Sequence, residues 1–306
     1  MIRRIKMNIP VFPKGARVVF AGDSITQGNQ YVALIHEYYK THLTDRKVQF
    51  NTCAVAGGTT GTLLAIFDRD ILHFKPTHIV LTIGGNDSGI VYLRNKDETT
   101  YDKLTECYEN FKKNIETFAA RCKENDITLY FGTTFPYAEY QKGDPNVYNG
   151  GYALFKHYAD TIRDYAEKNG HAYCDFHPYL TRVEMFTDLY RDDHLHPTYD
   201  VGHYYIAKCF LESQGFEIDK NSLSPEIQEW HRRTLEVRSI YVAMYENFCL
   251  KAPLEEAKEK IQKFIDETDA TDPKKAYKLG LAKTFMENYP KHDENREWLL
   301  NFGKKL

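Results

Sequence analysis

Arg17-Val18-Val19-Phe20-Ala21-Gly22-Asp23-Ser24-Ile25-Thr26 is the stretch that decides the fold. Its first six residues form a short apolar run, with Pro13 and Gly15 before it and Gly22-Asp23 closing it, which is the pattern of a buried strand. A serine and the start of a helix follow at once. Working outward, apolar runs recur at 48–55, 78–85, 128–134 and 172–176, and helical patterns lie between them at 31–43, about 60–74, 101–125, 151–169 and 199–213. Near-continuous apolar strands alternating with helices predict a three-layer α/β/α domain with a mostly parallel five-stranded sheet, covered on both faces. Functional loops in such a sheet gather at the carboxyl ends of the strands.

Composition bounds the rest. The chain has 306 residues, enough for one large domain or a domain with an appendage. Lys and Arg number 40 against 43 Asp and Glu, a formal charge of −3, which argues against a general nucleic-acid binder. No apolar run approaches the roughly 20 residues that a membrane helix needs. The opening MIRRIKMNIPVF has basic residues without an apolar region behind them, so no secretory signal is expected. The six cysteines, at 53, 107, 122, 174, 209 and 249, form no C-x-x-C pair and read as reduced thiols of a cytoplasmic protein.

A change of character after about residue 220 divides the chain into a sheet domain, 1–220, and an all-helical extension, 221–306. In the extension 30 of 86 residues are charged, against 53 of the first 220. Ser224-Pro225 and Asp272-Pro273 read as helix starts. Three sets of residues make one apolar stripe each: Val237, Tyr241, Met244 and Phe248; Leu254, Ala257, Ile261 and Phe264; and Tyr277, Leu281, Phe285 and Tyr289. These stripes must be buried on the sheet domain, on each other, or on a second copy of the chain in a homo-oligomer.

Serine is scarce, occurring only at 24, 88, 213, 222, 224 and 239. Ser24 projects from the carboxyl edge of the sheet, where it is either a nucleophile or a helix N-cap. The block Asp192-Asp193-His194-Leu195-His196-Pro197 could give a serine its base, His196, and the carboxylate that orients that base, Asp193. A polar turn, a cap or a metal site are the other readings, and no second cluster of ligand residues completes a metal site. Ala56-Gly57-Gly58-Thr59-Thr60-Gly61 follows the second strand, where small residues let a backbone N–H approach an oxyanion. It meets neither phosphate-loop fingerprint, and a bare glycine turn is its alternative. Gly84-Gly85-Asn86-Asp87 follows the third strand and offers the Asn86 amide, or an Asx turn.

Each signal is weak singly, but they fall in order at successive strand ends. Together they resemble the four blocks of the SGNH hydrolases, the GDSL-type esterase and lipase family, over about residues 16–213. Gly22-Asp23-Ser24-Ile25 looks like the nucleophile block, with Ile in place of the Leu of the family name. The glycine, asparagine and Asp-x-x-His blocks are similar to those around Gly57, Asn86 and Asp193-His196. Family members often carry Asn five residues before the oxyanion glycine, whereas here that place is Thr52, with Asn51 one earlier.

The resemblance implies a flavodoxin-like fold and a serine esterase without metal or organic cofactor. Its residues would be Ser24 as nucleophile, His196 as base and Asp193 as its orienter. The oxyanion donors would be the N–H groups of Ser24 and Gly57 and the Asn86 amide, with Gly57 preferred to Gly58 by its spacing to Thr59-Thr60. A Tyr-rich segment around Tyr137 and Tyr140, continuing through Tyr148 and Tyr152, is expected to line the substrate side together with Asp23. Tyrosine suits sugars, and no long apolar stretch suggests an acyl tunnel, so the expected substrate is a short-acyl or acetyl ester of a carbohydrate or small molecule. Lipid acyl hydrolysis, as by a lysophospholipase or thioesterase, is the alternative. A non-catalytic binding or assembly protein working through its helical tail is the reading from another class.

Overall fold

The computed structural model describes residues 9–90, 101–141, 148–218 and 222–302; the N-terminal residues 1–8 and the expected boundary at 220 lie outside them. Five strands, β1 (Arg17–Gly22), β2 (Gln49–Ala54), β3 (His78–Thr82), β4 (Thr128–Gly132) and β5 (Tyr173–Cys174), form one parallel sheet in the order β2-β1-β3-β4-β5. The order reverses at β1, so the loops after β1, β2 and β3 diverge around a crevice at that point, the usual ligand position in such sheets. Gly22 pairs with Ala54 on one side and Thr82 on the other, which brings all three strands to an end at the same level. Glycine is required there: a Cβ would stand 2.3 Å from Thr26 Oγ1 and 2.6 Å from the Thr82 carbonyl.

The helices are α1 (Ser24–Gln27), α2 (Gln30–His42), α3 (Thr60–Ala65), α4 (Tyr101–Glu124), α5 (Gly151–Asn169), α6 (Phe176–Glu184), α7 (Val201–Ser213), α8 (Pro225–Glu246), α9 (Leu254–Glu267), α10 (Ala276–Asn288) and α11 (His292–Phe302). Three expectations need correction. The helix expected over 60–74 is a short α3 followed by a π turn and a 3₁₀ turn. The fifth strand is only two residues long, and the chain turns directly into α6, which the apolar run 172–176 concealed. Asp272-Pro273 opens a turn rather than a helix: Asp272 accepts from the Lys274 N–H through its side chain and from the Lys275 N–H through its carbonyl, and α10 begins at Ala276.

The helical extension packs on its own chain. Helix α8 lies against β2 and α2, and α11 also touches β2. Trp230, fully buried, donates from Nε1 to the Phe50 carbonyl of edge strand β2 at 3.1 Å. The Ser224-Pro225 start is used as expected, but Ser224 Oγ donates to Glu37 Oε2 of α2 at 2.7 Å instead of capping its own helix. Arg69, in the turn after α3, reaches the Leu250 and Ala252 carbonyls beyond α8. One apolar core is continuous from Phe20 and Phe50 in the sheet to Trp230, Tyr241, Met244 and Phe285 in the extension. Two stripe residues fall outside it. Phe248 follows the end of α8, adopts a φ of +56° and is exposed, and Tyr277 is exposed at the start of α10, where Leu279, Ala282 and Phe285 make the buried stripe instead.

Candidate active site

Ser24 is the first residue of α1, directly past β1, with Asp23 as the N-cap accepting from the Ile25 N–H at 3.1 Å. The alternatives weighed for Ser24 therefore separate: the cap is Asp23, and the Ser24 hydroxyl is free for other work. It lies 2.8 Å from His196 Nε2, across 172 residues of chain. His196 Nδ1 is 2.7 Å from Asp193 Oδ2. The other carboxylate oxygen of Asp193 accepts the N–H groups of Leu195 at 2.9 Å and His196 at 2.8 Å. A bridge between Tyr190 and Pro197 closes this loop, and the Arg191 N–H donates to the His196 carbonyl at 2.8 Å. The Asp-x-x-His spacing is thus held by a small hairpin whose backbone fixes both side chains.

Partial burial works against the ionised form of Asp193, but hydrogen bonds from the His196 ring and from the two N–H groups outweigh it. The carboxyl is held well below its usual range. A carboxylate anchored in this way keeps the His196 proton on Nδ1 and leaves Nε2 to accept from Ser24. Asp23 is the opposite case. Burial pushes its pKa up to about 6 against the pull of the Ile25 N–H and of His196.

The loops after β2 and β3 close in from either side. Asn86 Nδ2 donates to the Gly58 carbonyl at 3.0 Å with one of its two hydrogens. Asp87 accepts both the N–H and the hydroxyl of Thr60, the latter at 2.6 Å, which ties the asparagine block to the glycine block. Gln27, from α1, accepts the Ala56 N–H at 2.6 Å. The Gly58 N–H is engaged with the Val55 carbonyl at 2.9 Å. Among the described residues the N–H groups of Ser24 and Gly57 have no acceptor, and Gly57 takes a φ of +72°. Of the two adjacent glycines, Gly57 is therefore the one with a donor to offer. The departure at Thr52 also has a local account: its hydroxyl donates to Asn29 Oδ1 at 2.6 Å, and Asn29 in turn reaches His231 of α8 at 3.2 Å.

A narrow pocket opens beside Ser24, lined by Asp23, Ile83, Asn86, Phe135, Phe155 and Leu195 among others, with free space of about 10 Å³. That is room for roughly one water-sized group. Tyr137 and Tyr140, expected on the substrate side, do not line this pocket. Tyr137 is fully buried behind the pocket wall, 5.6 Å from the Phe155 ring and 6.4 Å from His194. Tyr140 is 83% exposed and does not line the pocket. Both border a separate open groove of about 1020 Å³, with Tyr152, Glu184, Tyr190 and Asp192. Phe135, from the same segment after β4, lines the pocket, while Tyr137 packs into the apolar cluster with Phe155 and takes the Tyr148 N–H on its hydroxyl at 3.1 Å. Asp23 does line the pocket. Phe135, Phe155 and Gln27 gave no signal in the sequence beyond their type, whereas Leu195 stood within the Asp193-His196 block.

The histidine next to the block, His194, is buried with a φ of +60°, and its Nδ1 is 2.6 Å from the Ala138 carbonyl. It serves to pin the loop to the segment after β4. No group of three or more His, Cys, Asp or Glu that could hold a metal ion occurs among the described residues. No helix of the described residues is long and apolar enough to cross a membrane.

A five-stranded parallel sheet with the serine block after its first strand and the Asp-His block just before α7, the helix that closes the sheet domain, is the architecture of an SGNH-type carboxylic ester hydrolase. The chain belongs to the GDSL-like lipase/acylhydrolase family, whose model matches residues 20–201. No curated protein matches the sequence. Among solved structures, a gut microbial diltiazem-metabolizing enzyme superposes with a TM-score of 0.76 over 97% of this chain and 96% of its own, at 17% identity. An acetylxylan esterase from Geobacillus stearothermophilus gives 0.53 over 67% of this chain and 96% of its own, at 20% identity. An α/β hydrolase enzyme from the metagenome of Lake Arreo, Spain, gives 0.53 over 67% and 97%, at 23% identity. At such identities the likeness is one of fold, and the first of these structures shares the helical extension as well.

Proposed function

We propose that the protein hydrolyses short-acyl esters, in particular acetyl esters of carbohydrates or small alcohols, through an acyl-enzyme on Ser24. The observation that carries this reading is the line Ser24 Oγ–His196 Nε2–Asp193, at 2.8 and 2.7 Å, beside a pocket of about 10 Å³. His196 Nε2 takes the Ser24 proton as Oγ attacks the ester carbonyl, and Asp193 stabilises the imidazolium. The oxyanion is received by the N–H groups of Ser24 and Gly57 and by the second hydrogen of the Asn86 amide. His196 then gives its proton to the departing alcohol. A water enters, loses a proton to His196 and attacks the acyl carbon, and the acid leaves as the proton returns to Ser24.

The pocket supports the choice of acyl group, since the room beside Ser24 is about that of one water-sized group, the size of an acetyl methyl. A polar alcohol portion would be received only if it extends from Ser24 past Asp192 to the separate groove, where Tyr140 and Tyr152 offer ring faces and Glu184, Asp188 and Asp192 offer acceptors to hydroxyl groups. Fold alone does not choose a substrate. The test is a series of p-nitrophenyl esters from acetate to palmitate, followed by acetylated xylo-oligosaccharides, each beside Ser24→Ala. The expected result is a preference for acetate with release of acetate from the oligosaccharide, both reduced by about 10⁴-fold or more in the variant. A preference for palmitate would move the substrate to lipids and leave the mechanism standing.

A further inference from the structure

We infer that Tyr245, on the helical extension, is a positioning residue for the Gly57 oxyanion donor, so that the extension takes part in the reaction that the sheet domain carries out. The inference rests on the role proposed above for Gly57. Tyr245 stands one residue before the end of α8, and its hydroxyl donates to the Gly57 carbonyl at 3.1 Å. Its ring also lies over the glycine: a Cβ on Gly57 would be 3.1 Å from Tyr245 Cε1.

The peptide groups around the Gly57 N–H explain why this contact matters. Two adjacent glycines leave a backbone with more freedom than any other pair of residues. Here the Ala56 N–H is held by Gln27, the Gly58 N–H by the Val55 carbonyl and the Gly58 carbonyl by Asn86. The Gly57 carbonyl is held by Tyr245. Three of these four restraints come from the sheet domain, and the fourth comes from 188 residues away. It fixes one end of the peptide plane that follows the proposed donor, in a residue at φ +72° with no side chain of its own to hold it.

Tyr245 can act as a fixed point because its helix is anchored to the sheet domain along its length. Trp230 bonds to Phe50, and His231 bonds to Asn29, which itself holds Thr52 on β2. Beyond the helix, Leu250 and Ala252 are held by Arg69. The hydroxyl is therefore delivered by a rigid element rather than by a loop, which suits a group that must orient a donor closely.

The test uses the full chain with Tyr245→Phe, which keeps the ring and loses only the hydroxyl, and Tyr245→Ala, which loses both. With p-nitrophenyl acetate, Tyr245→Phe is expected to lower kcat about 3- to 10-fold with KM unchanged, the effect of one net hydrogen bond felt in the transition state. Tyr245→Ala is expected to approach the hundredfold loss of a missing oxyanion donor. Tm of Tyr245→Phe should stay within about 2 °C of wild type, and binding of the product acetate should be unmoved in both variants. Wild-type kcat in both variants, while Ser24→Ala is inactive, would overturn the inference and leave the proposed function intact. Loss of kcat in Tyr245→Phe only in proportion to lost folded protein overturns it too. An active Ser24→Ala would instead remove the reading on which it rests.

Discussion

At the scale of single residues, the fold sets the charges of the two aspartates nearest Ser24 and His196 in opposite directions. Asp193 is held ionised by its hydrogen bonds, so it contributes stability above the ordinary aspartate range and loses it as the pH falls. Replacing it with Asn would leave the geometry and offer His196 the wrong partner, and kcat for an acetate ester should drop about 10⁴-fold. Asp23 has its pKa raised from 3.8 to about 6. Between those values the folded protein keeps a proton that the unfolded chain has released, so this group's contribution falls as the pH rises through that window. An asparagine in its place could still cap α1. Urea unfolding of Asp23→Asn should therefore gain on wild type by up to about 3 kcal/mol between pH 4 and pH 7. An equal difference at both pH values would contradict the burial argument. Much of this scale was legible in the sequence, since Gly22-Asp23-Ser24 and Asp193-x-x-His196 are local patterns. Gly57 was preferred to Gly58 there only by spacing; what frees the Gly57 N–H, the Val55 carbonyl taking that of Gly58, is a feature of the folded loop. The places of Tyr137 and Tyr140 were not legible, because they depend on which residues of the segment after β4 pack inward: Tyr137 is buried with Phe155, and Tyr140 is exposed.

At the scale of elements, the strands were readable because a sheet covered on both faces demands unbroken apolar runs, as in Val18–Ala21 and Ile79–Leu81. Helix α6 was hidden for the same reason: Phe176 and Leu180 are buried, and their run merges with that of β5. The extension was readable as helices but not as a docked layer, since amphipathic stripes do not name what covers them. The structure gives two covers: α8 lies on β2 and α2, where Trp230 bonds to Phe50, and the helices of the extension pack on each other, α10 and α11 on α8 and α9 on α10. Trp230→Ala should cost about 3–5 kcal/mol, read from denaturant midpoints, because it empties a fully buried site and removes a donor from the Phe50 carbonyl. Phe248→Ser, at an exposed residue past the end of the same helix, should stay within about 0.5 kcal/mol of wild type.

At the scale of the whole molecule, one core runs through sheet and extension, and Tyr245 of the extension reaches the Gly57 carbonyl in the loop after β2. Deleting residues 222–306 would expose the faces of β2 and α2 that α8 covers. The expected product is an aggregating or unfolded chain, seen by size-exclusion chromatography and circular dichroism, rather than a smaller working enzyme. A folded, fully active fragment would refute this coupling and the role of Tyr245 with it. The central claim, however, is that Ser24 is the nucleophile of this family member, and covalent capture tests it most directly. After incubation with a fluorophosphonate, peptide mass spectrometry should find one adduct, on Ser24, absent from Ser24→Ala and slowed in His196→Ala. An adduct on another residue, or none on a protein that hydrolyses p-nitrophenyl acetate, would contradict the account.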